Sequence, residues 1–229
     1  MKKTTPVRPT PIEASIQAAP VLQAQAICFG HVQQQPLFTH WSTDVPAGLT
    51  LIQGGDGTGK TSLLRLLAGE WAPQQGRLLL QGIDAADRPD QYRAQVFWRD
   101  PRSPWPDDLT ARDWADGQRA MHAHWSQHDW RDHVAGWGLA GHLHKPLQQL
   151  STGSQRKVLM AAALASGAPL TLLDEPLAGL DKASIAYLLQ ALQRQAHSPL
   201  TPGRAVVVAH HDALGEVPWR HTIVLGGSG

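Results

Sequence analysis

A glycine-rich segment, GGDGTGKT, has the residue types and spacing of a phosphate-binding loop. The pattern Gly54-x-x-x-x-Gly59-Lys60-Thr61 lets consecutive backbone N–H groups turn inward and surround phosphate oxygens. The lysine can then reach the β- and γ-phosphates of a nucleotide, and the threonine hydroxyl can coordinate Mg²⁺. The residues that we expect to contact the nucleotide are Gly54, Gly55, Asp56, Gly57, Thr58, Gly59, Lys60, Thr61 and Ser62.

A second candidate lies at the end of the apolar run LTLLD, where Asp174 is followed by Glu175. Ligands of parallel sheets bind at the carboxyl ends of the strands. We therefore expect Asp174 to hold Mg²⁺ together with Thr61, either directly or through water. We expect Glu175 to polarise the attacking water. Without the phosphate loop, this pair would be interpreted as two solvated carboxylates at an ordinary strand end.

The phosphate loop needs a strand before it and a helix after it to position its residues. The strand AGLTLIQG leads directly into the loop, and TSLLRLLAGEW follows with leucines at helical spacing. This context favours a phosphate loop over a glycine-rich turn that matches the spacing by chance. Further strands are indicated by GRLLLQG, AQVFW, LTLLD and AVVVA, and further helices by KVLMAAALA and ASIAYLLQALQRQA. The alternation predicts an α/β fold with a mostly parallel sheet, and VLQAQAICF is predicted as an N-terminal edge strand.

Composition excludes several classes of protein. The 229 residues include 20 Lys plus Arg and 19 Asp plus Glu, so the formal net charge is +1. This balance gives no electrostatic case for a nucleic-acid partner. The single cysteine, Cys28, cannot form an intramolecular disulfide, which suits a reducing compartment. The sequence shows neither a bilayer-spanning apolar segment nor a secretory signal, so we expect a soluble protein.

Two regions differ in composition from the predicted core. Residues 1–20 are rich in Pro, Thr and Ala and predict a disordered tail. Residues 99–149 place tryptophans and histidines among polar residues, which indicates short helices in a separate lobe. The close histidines, at positions 122, 124, 128 and 133, allow a metal site, but they would be spread over several helix faces. We favour tryptophans that pack the lobe or form a docking surface.

Between the two site motifs lies LQQLSTGSQRKVLMAAALA, in which LSTGS resembles the signature motif of ABC-type ATPases. LAGLD resembles the D-loop of that family, and VVVAHHD resembles the strand that carries its switch histidine. The resemblance implies a P-loop NTPase fold, with a RecA-like core at residues 21–98 and 167–229, a helical subdomain at 99–166, and an N-terminal β edge. The compact cassette is also similar to small export-type cassettes, including the haem-exporter ATPases of cytochrome c maturation.

The resemblance also implies roles for further residues. Ser151 and Gly153 would close on the γ-phosphate bound by a second subunit, so a head-to-tail dimer would hold two ATP molecules at its interface. Asp181, in the D-loop, would lie beside the nucleotide. Either His210 or His211 would be the switch histidine, with His210 favoured. His31 would stack on adenine, and Phe29 is the alternative at that position.

Two departures from the family pattern stand out. Thr152 and Ser154 replace the first glycine and the glutamine of the usual signature. Arg99 stands where the pattern places the glutamine of the Q-loop. Because arginine cannot coordinate a metal, we expect Arg99 to contact phosphate or to point at solvent, with slower or more strictly gated hydrolysis.

The function that the resemblance implies is that of an ATP-binding, ATP-hydrolysing subunit of an ABC transporter. It would work with ATP and Mg²⁺, power a separately encoded integral membrane permease, and lie on the cytoplasmic face of the membrane. The second ATP-binding subunit could be identical or different. Two alternatives are a soluble ABC ATPase outside transport and a degenerate cassette that binds ATP in a regulatory role.

Overall fold

The computed structural model describes residues 19–30, 36–197 and 203–226. Its strands are β1 (Leu22–Phe29), β2 (Phe38–Val45), β3 (Gly48–Gln53), β4 (Gln75–Leu80), β5 (Ile83–Asp84), β6 (Val96–Phe97), β7 (Leu170–Asp174), β8 (Ala205–His210) and β9 (His221–Val224). Its helices are α1 (Lys60–Leu67), α2 (Pro89–Arg93), α3 (Ala111–Met121), α4 (Gln127–Gly136), α5 (Thr152–Ala165) and α6 (Lys182–His197).

A parallel sheet with the strand order β6-β7-β8-β3-β9 forms the centre of the fold. Every residue of β7 and β8 is buried, as expected for parallel strands that are covered on both faces. The register pairs Asp174 with Ala209 and Gln53 with His210, so the carboxyl ends of β7, β8 and β3 lie at one edge. The two site motifs and the paired histidines are thereby brought to the same edge of the sheet.

The N-terminal strands form an antiparallel sheet of their own, in the order β2-β1-β4-β5. The prediction that VLQAQAICF is an edge strand is therefore wrong, because β1 pairs with β2 on one side and β4 on the other. Its inward-facing residues, including Leu22, Ala24 and Ile27, are buried in a cluster that also contains the leucines of α1. The loop that leads into α1 is thus held between two sheets.

The segment between β6 and β7 is helical. Side-chain hydroxyls begin two of its helices: Thr110 accepts from the backbone N–H of Asp113, and Ser126 accepts from that of Asp129. Trp114, Trp130 and Trp137 are buried, and they share one hydrophobic cluster with α5 and with β7 and β8. The tryptophans therefore attach the helical segment to the sheet.

Some expectations concern residues that the structure does not describe. Most of the predicted disordered tail, residues 1–18, lies outside the described ranges, as does His31. The division into a core and a helical subdomain remains a prediction. Among the described residues, no helix combines the length and the apolar character needed to cross a bilayer.

Candidate active site

The phosphate loop occupies the connection between β3 and α1, as the sequence predicted for a strand–loop–helix unit. Gly59 has a φ of 95° and precedes the first helical residue, Lys60. This left-handed conformation favours glycine because a Cβ atom would clash with the backbone. Its carbonyl accepts a hydrogen bond from the backbone N–H of Leu63 at 2.8 Å, which begins the helical ladder. The positive end of α1 is thereby aimed at the loop.

Lys60 is buried and is folded back onto the loop. Its Nζ donates to the carbonyl oxygens of Gly54 at 2.7 Å and Gly55 at 2.9 Å. It also forms an ion pair with Glu175 Oε1 at 3.1 Å. The loop is further braced by Thr58, whose hydroxyl donates to Gly55 at 2.9 Å, while Asp56 and Gly57 are exposed. Lys60 thus links the phosphate loop to the acidic end of β7.

Thr61 and Asp174 form the second link between the loop and β7. The Thr61 hydroxyl donates to Asp174 Oδ2 at 2.7 Å. The other carboxylate oxygen, Oδ1, is buried and has no hydrogen-bond partner in the described part of the chain. Burial raises the pKa of this carboxyl above its usual value. An unpartnered buried carboxylate oxygen beside a hydroxyl fits the oxygen ligands that Mg²⁺ prefers.

Glu175 has an uncommon backbone conformation, with a φ of 43°. Its backbone N–H donates to Ala209 at 2.9 Å, which ties the residue to β8. Arg156, on α5, donates to the backbone carbonyl oxygens of both Glu175 and Asp174. These contacts hold the turn after β7, and with it the Glu175 carboxylate, in a fixed position. Sequence reasoning noted basic residues after LSTGS but missed this role of Arg156.

Both candidate switch histidines lie beside Glu175. His210 Nε2 is 3.6 Å and His211 Nδ1 is 3.5 Å from Glu175 Oε2, and the two rings stack with centroids 4.0 Å apart. His210 is buried, and burial lowers its pKa below the usual value. The His211 side chain is 55% exposed and pairs with Asp212 at 3.2 Å. The two histidines are therefore about equally close to Glu175, but the side chain of His211 is much more exposed than that of His210.

The signature segment begins α5. Ser151 is the N-cap, with its hydroxyl accepting from the backbone N–H of Ser154 at 3.2 Å. A Cβ atom on Gly153 would lie 2.7 Å from the carbonyl oxygen of Gly179, so only glycine allows this close approach. Within the described part of the chain, no hydrogen bond or ion pair joins Ser151 or Gly153 to the phosphate loop. Their contact with a nucleotide on a second subunit stays a prediction.

Asp181 caps α6. Its carboxylate accepts from the backbone N–H of Ser184 at 2.8 Å and from Lys157 Nζ at 3.2 Å. These hydrogen bonds, the backbone one first, lower the pKa of Asp181 to about 2. Its visible role is to connect the D-loop to α5 and α6, whereas the predicted contact with nucleotide remains a prediction.

Arg99 is placed differently from both expectations. Its guanidinium donates to the backbone carbonyl oxygens of Asp100, Ser103 and Pro104, and it stacks over Trp105 at 3.7 Å. The expectation that it contacts phosphate or points at solvent is wrong, because its own loop supplies all of these partners. The expectation of a phosphate contact considered only charge and overlooked the backbone carbonyl oxygens one, four and five residues further along the chain.

The next residue, Asp100, is the one that faces the site, and sequence reasoning missed it. It is buried and accepts from Arg65 Nη2 at 2.5 Å and from the backbone N–H of Arg102 at 2.8 Å. Its charge is close enough to raise the pKa of Asp174. The signal that could have found it is an acidic residue close to the end of a short strand, since Asp100 lies three residues after β6 and Asp174 ends β7.

His31, the residue predicted to stack on adenine, lies outside the described residues. Phe29, the alternative, is buried and stacks on Trp71 with ring centroids 5.5 Å apart. The core role that this packing gives Phe29 leaves the adenine contact as a prediction for His31.

Comparison with known proteins identifies the family of the chain. Residues 39–178 match the family model described as ABC transporter. A cytochrome c biogenesis ATP-binding export protein of Pseudomonas savastanoi pv. phaseolicola is 33% identical over 204 residues, covering 89% of this chain and 93% of the relative.

Solved structures share the fold at lower identity. An ATP-binding subunit of an ABC transporter superposes with a TM-score of 0.72 at 21% identity, covering 83% of this chain and 79% of that chain. A dimeric ATP-binding cassette in a post-hydrolysis state, bound to ADP and Pi, gives a TM-score of 0.68 at 20% identity over 83% of this chain and 88% of that chain. The predicted resemblance and the predicted P-loop fold are confirmed. The chain therefore belongs to the ABC transporter family, as an ATP-binding and ATP-hydrolysing subunit.

Proposed function

We propose that the chain binds Mg·ATP between the phosphate loop and the end of β7, and hydrolyses it with Glu175 as the general base. The observation that carries this proposal is the pairing of Lys60 and Thr61 on α1 with Glu175 and Asp174 on β7. Each residue of one motif contacts one residue of the other. Thr61 and Asp174 would hold Mg²⁺, which when bound would offset the negative charge of the nucleotide phosphates.

In this proposal, nucleotide binding gives Lys60 a new partner and releases Glu175. In the structure, the lysine forms an ion pair with Glu175 Oε1 and donates hydrogen bonds to two loop carbonyl oxygens. Phosphate oxygens offer Lys60 a stronger, doubly charged partner, so nucleotide binding would draw its Nζ away from Glu175. The carboxylate is then free to accept a proton from the attacking water.

We assign the switch role to His211 and a positioning role to His210. His210 is buried and its Nδ1 accepts from the backbone N–H of Asp212 at 3.0 Å, which fixes the ring. His211 is largely exposed and can turn towards a γ-phosphate without creating a cavity in the protein interior. This reverses the preference for His210 that the sequence alone favoured.

We propose that two such subunits form a head-to-tail dimer. Ser151 and Gly153 lie at the exposed N-terminus of α5, where backbone N–H groups and the helix dipole favour an anion. Arg156, one turn later on the same helix, contacts the backbone of Asp174 and Glu175. Closure of Ser151 and Gly153 on the partner's nucleotide would therefore be transmitted through Arg156 to the end of β7 in the same subunit as that signature segment.

A groove of about 570 Å³ between α2, β6 and α3 is a suitable docking site for a helix of the permease. Its lining combines apolar and charged side chains: Asp90, Arg93, Val96, Trp98, Trp114 and Met121. Met121 is 61% exposed, which is unusual for a large apolar side chain. Such a surface suits an amphipathic helix, whose apolar face would cover Met121 and Trp98.

We further propose that the permease is of the export type that serves cytochrome c biogenesis, because two relatives that this chain matches over 93% of their length carry that name. The chain would then lie at the cytoplasmic face of the membrane through this partner. A soluble ABC ATPase outside transport and a regulatory cassette are the alternatives.

The test compares Glu175→Gln with the wild type, and with Glu216→Gln as a matched control at an exposed position. We expect Glu175→Gln to lower ATP hydrolysis roughly 100-fold or more while ATP binding is retained. We expect the same variant, with Mg·ATP, to capture a multi-spanning protein from detergent-solubilised membranes. Unchanged hydrolysis would refute the base assignment, and capture of no membrane protein would favour the alternatives outside transport.

A further inference from the structure

One carboxylate and two histidines converge at the end of the parallel sheet. Among residues 19–30, 36–197 and 203–226, Glu175, His210 and His211 form a group whose ligand atoms lie within 4.8 Å of one another. Glu175 Oε2 is 3.6 Å from His210 Nε2 and 3.5 Å from His211 Nδ1. Ligand atoms around a tetrahedral zinc ion are about 3.3 Å apart, because each lies about 2 Å from the metal. Shifts of a few tenths of an ångström in these two distances, together with a closer approach of the two histidine nitrogens, which lie within 4.8 Å of each other, would give the zinc spacing.

The surroundings of His210 match those of a metal ligand. Its other ring nitrogen, Nδ1, is 3.0 Å from the backbone nitrogen of Asp212 and 3.2 Å from the backbone carbonyl oxygen of the same residue. An Nδ1–H that donates to this oxygen, in place of an Nδ1 that accepts from the backbone N–H, gives the tautomer in which Nε2 is unprotonated and faces Glu175. The ring is also buried, so its orientation is already fixed.

Glu175 can serve as a ligand without losing its lysine partner. Lys60 Nζ contacts Oε1, whereas both histidines contact Oε2. The positive charge of Lys60 weakens the attraction for a second cation but does not occupy the same oxygen. His211 is largely exposed, so it can complete the ligand set from the solvent side.

We propose that, in the absence of nucleotide, Glu175, His210 and His211 bind a single Zn²⁺ ion and thereby withhold the carboxylate from catalysis. Two imidazoles, one carboxylate and an open fourth position suit zinc, whereas Mg²⁺ prefers oxygen ligands alone. Zinc at this place is distinct from the Mg²⁺ that Thr61 and Asp174 would hold. The inhibitory consequence rests on the proposed role of Glu175 as the base, but the binding site itself does not.

The binding test uses the nucleotide-free full chain, produced without a histidine tag, and Zn²⁺ in isothermal titration calorimetry. Co²⁺ serves as a second probe because its visible absorption reports the ligand geometry. We expect one zinc ion per chain at the tightest site. His211→Gln should weaken this binding roughly tenfold or more, and Glu175→Gln should also weaken it.

The control addresses the other histidines, of which the chain has 12 in total. His128→Gln removes an exposed imidazole that lies 3.4 Å from Asp129 and 3.6 Å from Asp132, so it tests ordinary surface chelation. We expect this variant to bind zinc as the wild type does. Equal binding by the wild type and His211→Gln, or no binding by the wild type, would overturn the proposal.

A parallel measurement of ATP affinity separates this inference from the proposed function. Zinc binding with no ATP binding would leave the metal site standing and refute the nucleotide site. ATP binding without zinc binding would refute only the metal site. Circular dichroism of each variant shows whether a loss of binding reflects a loss of fold.

Discussion

Asp174 and Glu175 are neighbours in the chain, yet their carboxylates have different surroundings. Asp174 is 5% exposed and bonded to a hydroxyl, while the Glu175 side chain is 21% exposed and faces a lysine and two imidazoles. A buried oxygen with a neutral donor suits a metal ligand, whereas a partly accessible carboxylate suits proton transfer to water. Two residues of similar chemistry thus acquire different roles from their contacts.

Arg99 gives a prediction at the scale of one residue. Because its guanidinium bonds to carbonyl oxygens of its own loop and stacks on Trp105, Arg99→Gln should destabilise the fold by about 1–2 kcal/mol. ATP hydrolysis should stay unchanged, since the side chain makes no contact with the phosphate loop within the described residues. Urea unfolding and an ATPase assay test both expectations. Exposed Arg112→Gln is the control, and faster hydrolysis by Arg99→Gln would restore a catalytic role for Arg99.

At the scale of the element, α5 is fastened at both ends. Its N-terminal turn reaches the site through Arg156, and its C-terminal carbonyl oxygens, at Ala163 and Leu164, accept from buried Arg204 at 2.8 and 3.1 Å. The same guanidinium donates to Thr171 on β7 at 3.1 Å. Burial lowers the pKa of Arg204 to about 10, and the cost of that burial is offset by these bonds. Movement of α5 relative to β7 is thereby restricted.

Replacement of Arg204 should therefore be costly. Arg204→Met removes buried hydrogen bonds to Ala163, Leu164 and Thr171 and should lower the free energy of unfolding by roughly 3–5 kcal/mol. Arg131→Met, at an exposed position of α4, should change it little. Chemical unfolding followed by circular dichroism measures both. Equal stability of the two variants would show that the bonds to α5 contribute nothing net.

Helices α4 and α6 meet at a histidine, and this contact predicts a pH dependence. His133 is buried against Trp137 and Tyr187, and burial lowers its pKa to about 4, from an ordinary value of 6.5. Between these two values the unfolded chain binds a proton that the folded chain does not. Stability should therefore fall as the pH drops from about 6.5 to about 4, by up to about 3 kcal/mol from this residue.

The measurement for His133 is the free energy of unfolding at about pH 7.5 and about pH 5. His133→Phe cannot titrate, so the difference between the two pH values should shrink in this variant. Some pH dependence of the free energy of unfolding should remain in this variant, because burial also lowers the pKa of His122 and His210. Exposed His128→Gln should keep the wild-type slope. An identical slope in His133→Phe and the wild type would contradict the assignment.

At the scale of the whole molecule, the proposed head-to-tail dimer predicts a change in mass on nucleotide binding. In the Glu175→Gln background, Mg·ATP should convert the chain of 24.9 kDa to a species of twice that mass. A second substitution, Ser151→Arg, should prevent this conversion and leave ATP binding intact, because Ser151 is exposed and, among the described residues, makes no hydrogen bond to the phosphate loop. Light scattering coupled to size-exclusion chromatography measures the mass.

The control for the dimer is Glu216→Gln combined with Glu175→Gln, which should dimerise normally. A dimer that forms equally well with Ser151→Arg would place the interface elsewhere on the molecule. Loss of ATP binding by Ser151→Arg would mean that the signature contacts the nucleotide of its own subunit.

The sequence by itself determined the local units of this protein. Phosphate loops, strand ends and capped helix starts depend on residues within about one turn of each other, so GGDGTGKT, LTLLDE and LSTGS are recognisable without any long-range contact. The order of these motifs also indicated the family.

The tertiary structure decided which distant residues meet. Strand order placed β1 inside a second sheet, between β2 and β4. Parallel register brought His210 and His211 to Glu175, and the close packing of α5 on β7 placed Arg156 on its backbone. These contacts join residues far apart in the chain, where spacing carries no information. Packing of the two hydrophobic clusters determines them instead.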